Sequence, residues 1–504
     1  MKTFQKIVAF LLVLAMMMTF VACVTTPEQP VDPPTTTQKS PTTDPGTDEP
    51  QTEYDPHANP GLPSKNYDGQ NYRILAAESY GTDGRARDVE YDDTLTTVNT
   101  INEAVRSRND YISDKYGVEI KGVFQSEISK KLSEALSTGL TICEVIEDAT
   151  KNYVSLVELG QLTDLNTFSP YLDLSQTWWN QNCKSSLSIA NKLYFEAGDI
   201  MTTDKEATWA ISFNRDLIKN NNLDNPYDLV DNNAWTYDAM YSLAQQISDV
   251  ADHPGDQFGA TWGVVSENSN TYMMWQGCGA RLIVKDTVTD LPQLAPLTEG
   301  DYDAMLKAAT IQFDKNVTLL ASDVKGVADH YFDGTIKIFQ TGHSLFFIGS
   351  MSMVEWMRDN EMDFGVLPMP KLNEAQEGYY SSIGAAYAYS LAIPNDPLMD
   401  KEFVAIITQA LGCESTDTLI QAYYDKTLVY KGLRRVEDVK MLNLVFNSRV
   451  FDLSLVFDWA SPLSNQIGAA KNESKVKSIK SKYDSYAKNI NSSINNFLEK
   501  QGLI

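Results

Sequence analysis

Histidine is scarce in this chain, with 4 among 504 residues. His57, His253, His330 and His343 are scattered, and none stands in H-E-x-x-H or a similar metal spacing, which argues against a histidine-based zinc hydrolase. Cysteine is nearly as rare, and no C-x-x-C pair joins any of the 5, so neither a zinc ribbon nor a thioredoxin-like redox site is expected. Cations are outnumbered, 41 Lys and Arg against 67 Asp and Glu, for a net charge of −26. A field of that sign repels phosphate backbones and anionic headgroups, and no nucleic acid is expected as a partner.

Motifs for chemistry are missing as well. No Walker A sequence occurs. Gly277-Cys278-Gly279 begins a G-x-G-x-x-G, but Leu282 takes the place of the last glycine and no strand pattern leads into it. Gly342-His343-Ser344 begins like a nucleophile elbow, yet Phe346 stands where G-x-S-x-G requires glycine, so the sharp strand-to-helix turn is not encoded. No catalytic residue, metal ligand or cofactor is therefore expected. Paired carboxylates stay open, since in a chain with 67 acids any two can meet in the fold.

Long apolar runs are absent too. The longest, Ile7 to Phe20, follows Lys2 and Lys6 and falls short of the ~20 residues that span a bilayer. Positive start, apolar middle and small residues before a cysteine read as an export signal over residues 1–22. Phe20-Val21-Ala22-Cys23 resembles the lipobox of bacterial lipoproteins, departing from it at Phe20, where leucine is usual. The resemblance implies a diacylglyceryl group on Cys23 and a protein held at the extracellular face of the cell membrane. Residues 23–65 are Thr, Pro, Asp and Gln with few large apolar side chains, a composition that stays extended as a tether because it buries too little to offset chain entropy. What remains exceeds the ~250–300 residues at which a single core stops growing, so two lobes are expected.

The body shows the periodicities of an α/β protein. Tyr72 to Ala77 reads as a buried strand. Thr100 and Glu103 have capping-box spacing ahead of a helix presenting Ile101, Val105, Ile112 and Tyr116, and Gly117 ends it. Val118 to Val123 alternates as a strand, Ile128 to Leu136 is helical, and Cys143 to Ile146 is a short strand. That order signals a parallel sheet with crossover helices. Further on, Ala207 to Phe213, Ser344 to Ile348 and Asp363 to Leu367 read as strands, Trp235 to Ile247 and Phe332 to Phe339 as helices. Val476, Ile479, Tyr483, Tyr486, Ile490, Ile494 and Phe497 mark a long amphipathic helix at the end, with its lysines on a solvated face.

Several segments resemble one family in order and spacing. Ala210 to Leu217 is similar to a strand leading into Y-N-K-D-L, and Asn225-Pro226 with Ala234 to Asp238 to a rearranged P-x-T-W-D-E. Phe339 to Ser350 resembles F-x-x-G-x-x-A-M-x-x-x-G, Asp363 to Pro370 resembles I-x-F-G-V-x-P-x-P, and Ala388 to Pro394 fits the strand that follows. Together they resemble the extracellular solute-binding proteins of carbohydrate ABC importers, the maltose-binding-protein-like group. Asp286 to Glu299 stands out as an insertion.

The resemblance implies a type II, periplasmic-binding-protein-like α/β fold of two hinged lobes. The expected lobes are residues 66–200 with 368–420 and residues 201–367 with 421–504. A sugar or oligosaccharide would sit between them, and the closed form of a monomer would meet permease subunits. By resemblance, Asp199 and Trp209 fall near the first crossing, Gly349, Ser350 and Met351 in the ligand-facing loop, and Trp262 and Trp275 beside the cleft. Tyr380 follows the second crossing and Trp459 falls where a further cleft aromatic is common. Glu78 follows the first strand directly, at the carboxyl edge where open α/β sheets bind ligands. An interior aromatic is also ordinary core. Two alternatives stay open: a surface-anchored glycoside hydrolase, which needs opposed carboxylates, and a peptide or polyamine binder of the same fold, which needs a charged pocket.

Overall fold

A computed structural model describes residues 60–78, 87–95, 99–326, 331–358, 362–428 and 435–504. The signal, Cys23 and the tether up to residue 59 lie outside them, as does His330. The core strands, in chain order, are β1 (Gln70–Ala77), β2 (Val118–Gln125), β3 (Val145–Ala149), β4 (Phe195–Glu196) and β5 (Trp209–Asn214). They continue with β6 (Trp262–Ser266), β7 (Thr318–Leu320), β8 (Ser344–Ser350), β9 (Phe364–Leu367) and β10 (Tyr389–Ala392).

These strands form two 5-stranded sheets. The first has the order β2-β1-β3-β10-β4, with β1 parallel to β2 and β3 and β10 antiparallel to β3 and β4. The second has the order β9-β5-β8-β6-β7, with β8, β6 and β7 parallel and β5 antiparallel to both neighbours. The chain passes from the first sheet to the second between Glu196 and Trp209 and returns between Leu367 and Tyr389.

The crossover helices follow from apolar stripes and their caps. Helix α1 (Thr100–Tyr116) buries Ile101, Val105, Ile112 and Tyr116, and Gly117 closes it in the left-handed region at φ 61°. Its cap differs from the Thr100 expectation: Asn99 accepts hydrogen bonds from the Ile101 and Asn102 amides and sits one residue earlier. Helix α2 (Ile128–Ser137) buries Ile128, Leu132 and Ala135. Strand β3 begins and ends later than Cys143 to Ile146, because Glu147 and Asp148 continue it as buried acids. Thr236 caps α3 (Tyr237–Ile247) through the Ala239 amide.

Glycine at 277 and 279 does not open a nucleotide loop. It lies at the end of α4 (Asn270–Gly277), where Gly279 turns the chain at φ 85°. Ser344 lies buried at the start of β8 and donates to the Phe346 carbonyl, so it heads no turn. Helix α5 (Asp333–Gln340) precedes β8, and α6 (Met351–Arg358) follows it directly.

After β10 the chain crosses once more. Helix α7 (Lys401–Asp417) buries Phe403, Val404 and Leu411 in the core of the first sheet, whereas α8 (Leu419–Leu428) buries Leu419 and Tyr423 with Phe347 and Phe364 of the second. The last helix, α9 (Glu473–Lys500), buries Val476, Ile479, Ile490, Ile494 and Phe497. Its apolar face joins a core shared by Ile146 and Phe195 of the first sheet and Trp275 of α4. Burying each such side chain stabilises by about 1.5–3 kcal/mol. The segment expected as an insertion forms a hairpin of Ile283–Lys285 with Pro292–Leu294, and the Tyr483 hydroxyl of α9 holds it by donating to the Ala295 carbonyl at 2.6 Å.

Candidate ligand cleft

A cleft of about 1380 Å³ opens between the two sheets. It lies at the carboxyl ends of β1, β3, β6 and β8, whose last residues or immediate successors Glu78, Ala149, Glu267 and Ser350 line it. Parallel strands end there with side chains converging from separate loops, the usual ligand position in open α/β sheets. Its volume exceeds the roughly 300–1,000 Å³ of sites for drug-sized molecules.

Exposed apolar side chains are ordinary one at a time, but gathered in one patch they mark interaction sites. Among the described residues, the strongly exposed aromatic side chains are Tyr331, Trp356 and Tyr387, at 50, 42 and 64% exposure, and all of them line this cleft. Trp356 projects from α6, whose Met351, Val354 and Met357 are buried. Tyr387 belongs to the second crossing and Tyr331 to the turn before α5. Flat rings offered from separate segments of a concave surface suit the apolar C–H faces of sugars.

Two polar groupings accompany the rings. At the base, Arg87 bridges Glu206 of the first crossing at 2.6 Å and Glu355 of α6 at 3.0 Å, and Lys426 of α8 reaches Glu355 at 2.8 Å. Burial by itself would lower the Arg87 pKa, but the two carboxylates outweigh it and hold the guanidinium well above its ordinary value. At the end of β3, Asp148 Oδ1 accepts from the Ala149 amide at 2.7 Å and from Asn152 Nδ2 at 3.0 Å. No described residue reaches its Oδ2. Asp148 is 5% exposed, and burial raises its pKa to about 6.

Of the residues singled out from sequence, the fold brings Glu78, Trp209 and Ser350 together at the cleft. Ser350 and Trp209 are partners across the β8–β5 pair, and the Ser350 hydroxyl lies 2.8 Å from that of Ser352. The others sit elsewhere. Asp199 is held in the first crossing by Lys205 at 3.3 Å and Thr416 at 2.9 Å. Trp262 donates to the Gln257 carbonyl, and Trp275, fully buried, donates to the Asp301 carbonyl. Gly349 and Met351 are buried around the end of β8, the latter with its amide on the Thr208 carbonyl. Tyr380 lies under the Arg281 guanidinium at 5.1 Å. Trp459 stacks on Phe457 at 4.5 Å and meets Phe497 at 5.2 Å, filling the shared core.

Sequence reasoning did not single out Trp356, Tyr387, Tyr331 or Asp148. A signal existed for Trp356, an aromatic off the apolar stripe of a short helix. Asp148 obeys the same strand-end rule that pointed to Glu78. Cys143, Cys183, Cys278 and Cys413 are free thiols. Among the described residues no group of His, Cys, Asp and Glu is placed to hold a metal ion, and no helix is long and apolar enough to cross a membrane.

No protein-family model and no curated protein sequence matches the chain. Solved structures do match. An ABC transporter solute-binding protein from Thermotoga lettingae TMO, bound with alpha-D-tagatose, aligns over 84% of this chain and 100% of that one, with 15% identity and a TM-score of 0.51. A cyclo/maltodextrin-binding protein complexed with maltotetraose aligns over 86% of this chain and 97% of its own, with 13% identity and a TM-score of 0.51. What the chain shares with them is the fold, the two-lobed α/β architecture of type II binding proteins.

Proposed function

We propose that this chain is the solute-binding component of an ABC importer, holding a sugar or oligosaccharide in the cleft between its sheets and handing it to permease subunits. The observation that carries the reading is the gathering of Tyr331, Trp356 and Tyr387, exposed rings on separate segments, around one large cleft. Fold agreement with proteins solved bound to tagatose and to maltotetraose supports it. A cleft of about 1380 Å³ suits an oligosaccharide better than a single ring.

Closure would proceed by population shift: ligand touching both halves favours the closed form by its extra contacts there. The lobes in this reading are residues 66–200 with 368–420 and 201–367 with 421–504. The ligand-touching residues are Glu78, Asp148, Trp209, Ser350, Trp356 and Tyr387. Binding is not coupled to bond breaking, and the protein works as a monomer. Export and lipidation at Cys23, supported by the lipobox resemblance, would place it at the extracellular membrane face, where an anchored binding protein keeps its permease within reach.

The test is a panel of purified oligosaccharides followed by intrinsic tryptophan fluorescence, with chromatography of the sugar afterwards. A saturable change with sugar recovered intact is expected. Shortened products would instead identify a glycoside hydrolase, and a response to peptides or polyamines alone would identify another binder of this fold.

A further inference from the structure

We infer that the cleft selects glycans free of acid groups and rejects those bearing carboxylate, phosphate or sulfate. This rests on the sugar-binding reading and concerns which sugars enter. The cleft lining carries Glu78, Glu127, Asp148, Glu206, Glu267, Glu355 and Asp458 against two lysines, Lys130 and Lys151. Several of these charges are committed to partners. Glu206 and Glu355 are neutralised by Arg87 and Lys426, Asp458 pairs with Lys151 at 2.7 Å, and Glu127 lies 3.5 Å from Lys130 at the exposed rim.

What remains is one-sided. Glu78, Asp148 and Glu267 have no cation beside them among the described residues, and both lining lysines already face a carboxylate. Among the described residues, the Glu267 carboxylate accepts only from the amide and hydroxyl of Ser269, two residues on. Asp148 lines the cleft; its Oδ1 is committed to the Ala149 amide and the Asn152 side chain, and no described residue donates to Oδ2. A sugar hydroxyl or ammonium can donate to it, whereas a carboxylate or phosphate brings a second negative charge into a partly desolvated space, where like charges repel.

The experiment compares maltotetraose, cellotetraose and mannotetraose with the same sugars oxidised to carboxylates at C6, by calorimetry at low and at 0.5 M salt. The expected result is that any tetraose which binds loses at least about tenfold in affinity on oxidation, that salt narrows the gap, and that the E78Q/D148N/E267Q variant narrows it further. Oxidised sugars that bind as tightly as neutral ones overturn the selectivity while leaving the sugar-binding reading intact. If no neutral glycan binds at all, the sugar reading falls and the selectivity with it.

Discussion

Trp209 donates its indole N–H to the Asn270 side-chain oxygen at 2.7 Å. Asn270, itself fully buried, donates in turn to the Ser266 hydroxyl at 2.9 Å and the Ile348 carbonyl at 3.0 Å. The Trp209 ring, which lines the cleft, is thereby fixed in angle by β6, α4 and β8 together, whereas among the described residues nothing hydrogen-bonds the Trp356 indole. Asn270→Ala should strand the Trp209 N–H and lower unfolding free energy by about 1–3 kcal/mol. Urea denaturation measures this, and an unchanged midpoint would mean that the bond is incidental.

Trp356→Ala separates recognition from folding. A side chain 42% exposed contributes little to the core, so stability should stay within about 0.5 kcal/mol of the parent. Affinity for the best oligosaccharide of the panel should fall by roughly tenfold or more, in line with the larger effects at buried aromatic contacts. Calorimetry on Trp356→Ala and Tyr387→Ala would show whether both rings touch ligand.

Arg87 holds together acids from different segments. Replacing it by alanine leaves Glu206 and Glu355 buried without their shared cation, a loss of about 3–5 kcal/mol. Buried carboxylates that lose a cation take up protons more readily, so this variant's deficit should shrink as pH falls from 8 to 5. A deficit independent of pH would indicate lost packing instead.

Asp148 gives two pH effects of opposite sense. Its folded pKa, raised to about 6, lies above the ordinary carboxylate value, so its contribution to stability is fully present below that ordinary value and is lost as pH rises through about 6. Asp148→Asn should accordingly be about 1–2 kcal/mol more stable than the parent at pH 8 and equal to it near pH 4. Sugar binding should run the other way: a carboxylate that accepts ligand hydroxyls accepts them less well once protonated, so affinity of the parent should weaken below pH 6 and lose that dependence in Asp148→Asn. The charged and titratable neighbours are Glu147 beside it, Lys151 on the following turn, Tyr153, and Tyr389 on β10. Parallel titrations of Glu147→Gln and of the tyrosine variants assign the effect.

The alternation of strands and helices was readable because this fold buries stripes. Ile101, Val105, Ile112 and Tyr116 of α1 have that spacing because one side of the helix meets the cores. The cleft was harder to read because ligand contacts share no period. Trp275 and Trp459 look in sequence like recognition rings, yet α4 is enclosed on nearly every side and Trp459 packs against Phe457 and Phe497. Trp356 differs from them in lying off the apolar stripe of its helix, Met351, Val354 and Met357, which leaves its ring exposed. Asp148 was hidden because consecutive acids, Glu147 and Asp148, end the apolar run that marks a strand, although the ladder continues to Ala149. Glu78 was legible since β1 ends in Ala76 and Ala77, where the apolar run and the strand stop together.

Closure on an intact sugar is the central claim, and small-angle X-ray scattering of the purified chain with and without its best oligosaccharide, paired with chromatography of that sugar, tests it most directly. A smaller radius of gyration in the complex, with all sugar recovered at its original length, is the predicted result. An unchanged radius at saturation, or sugar returned in pieces, contradicts it.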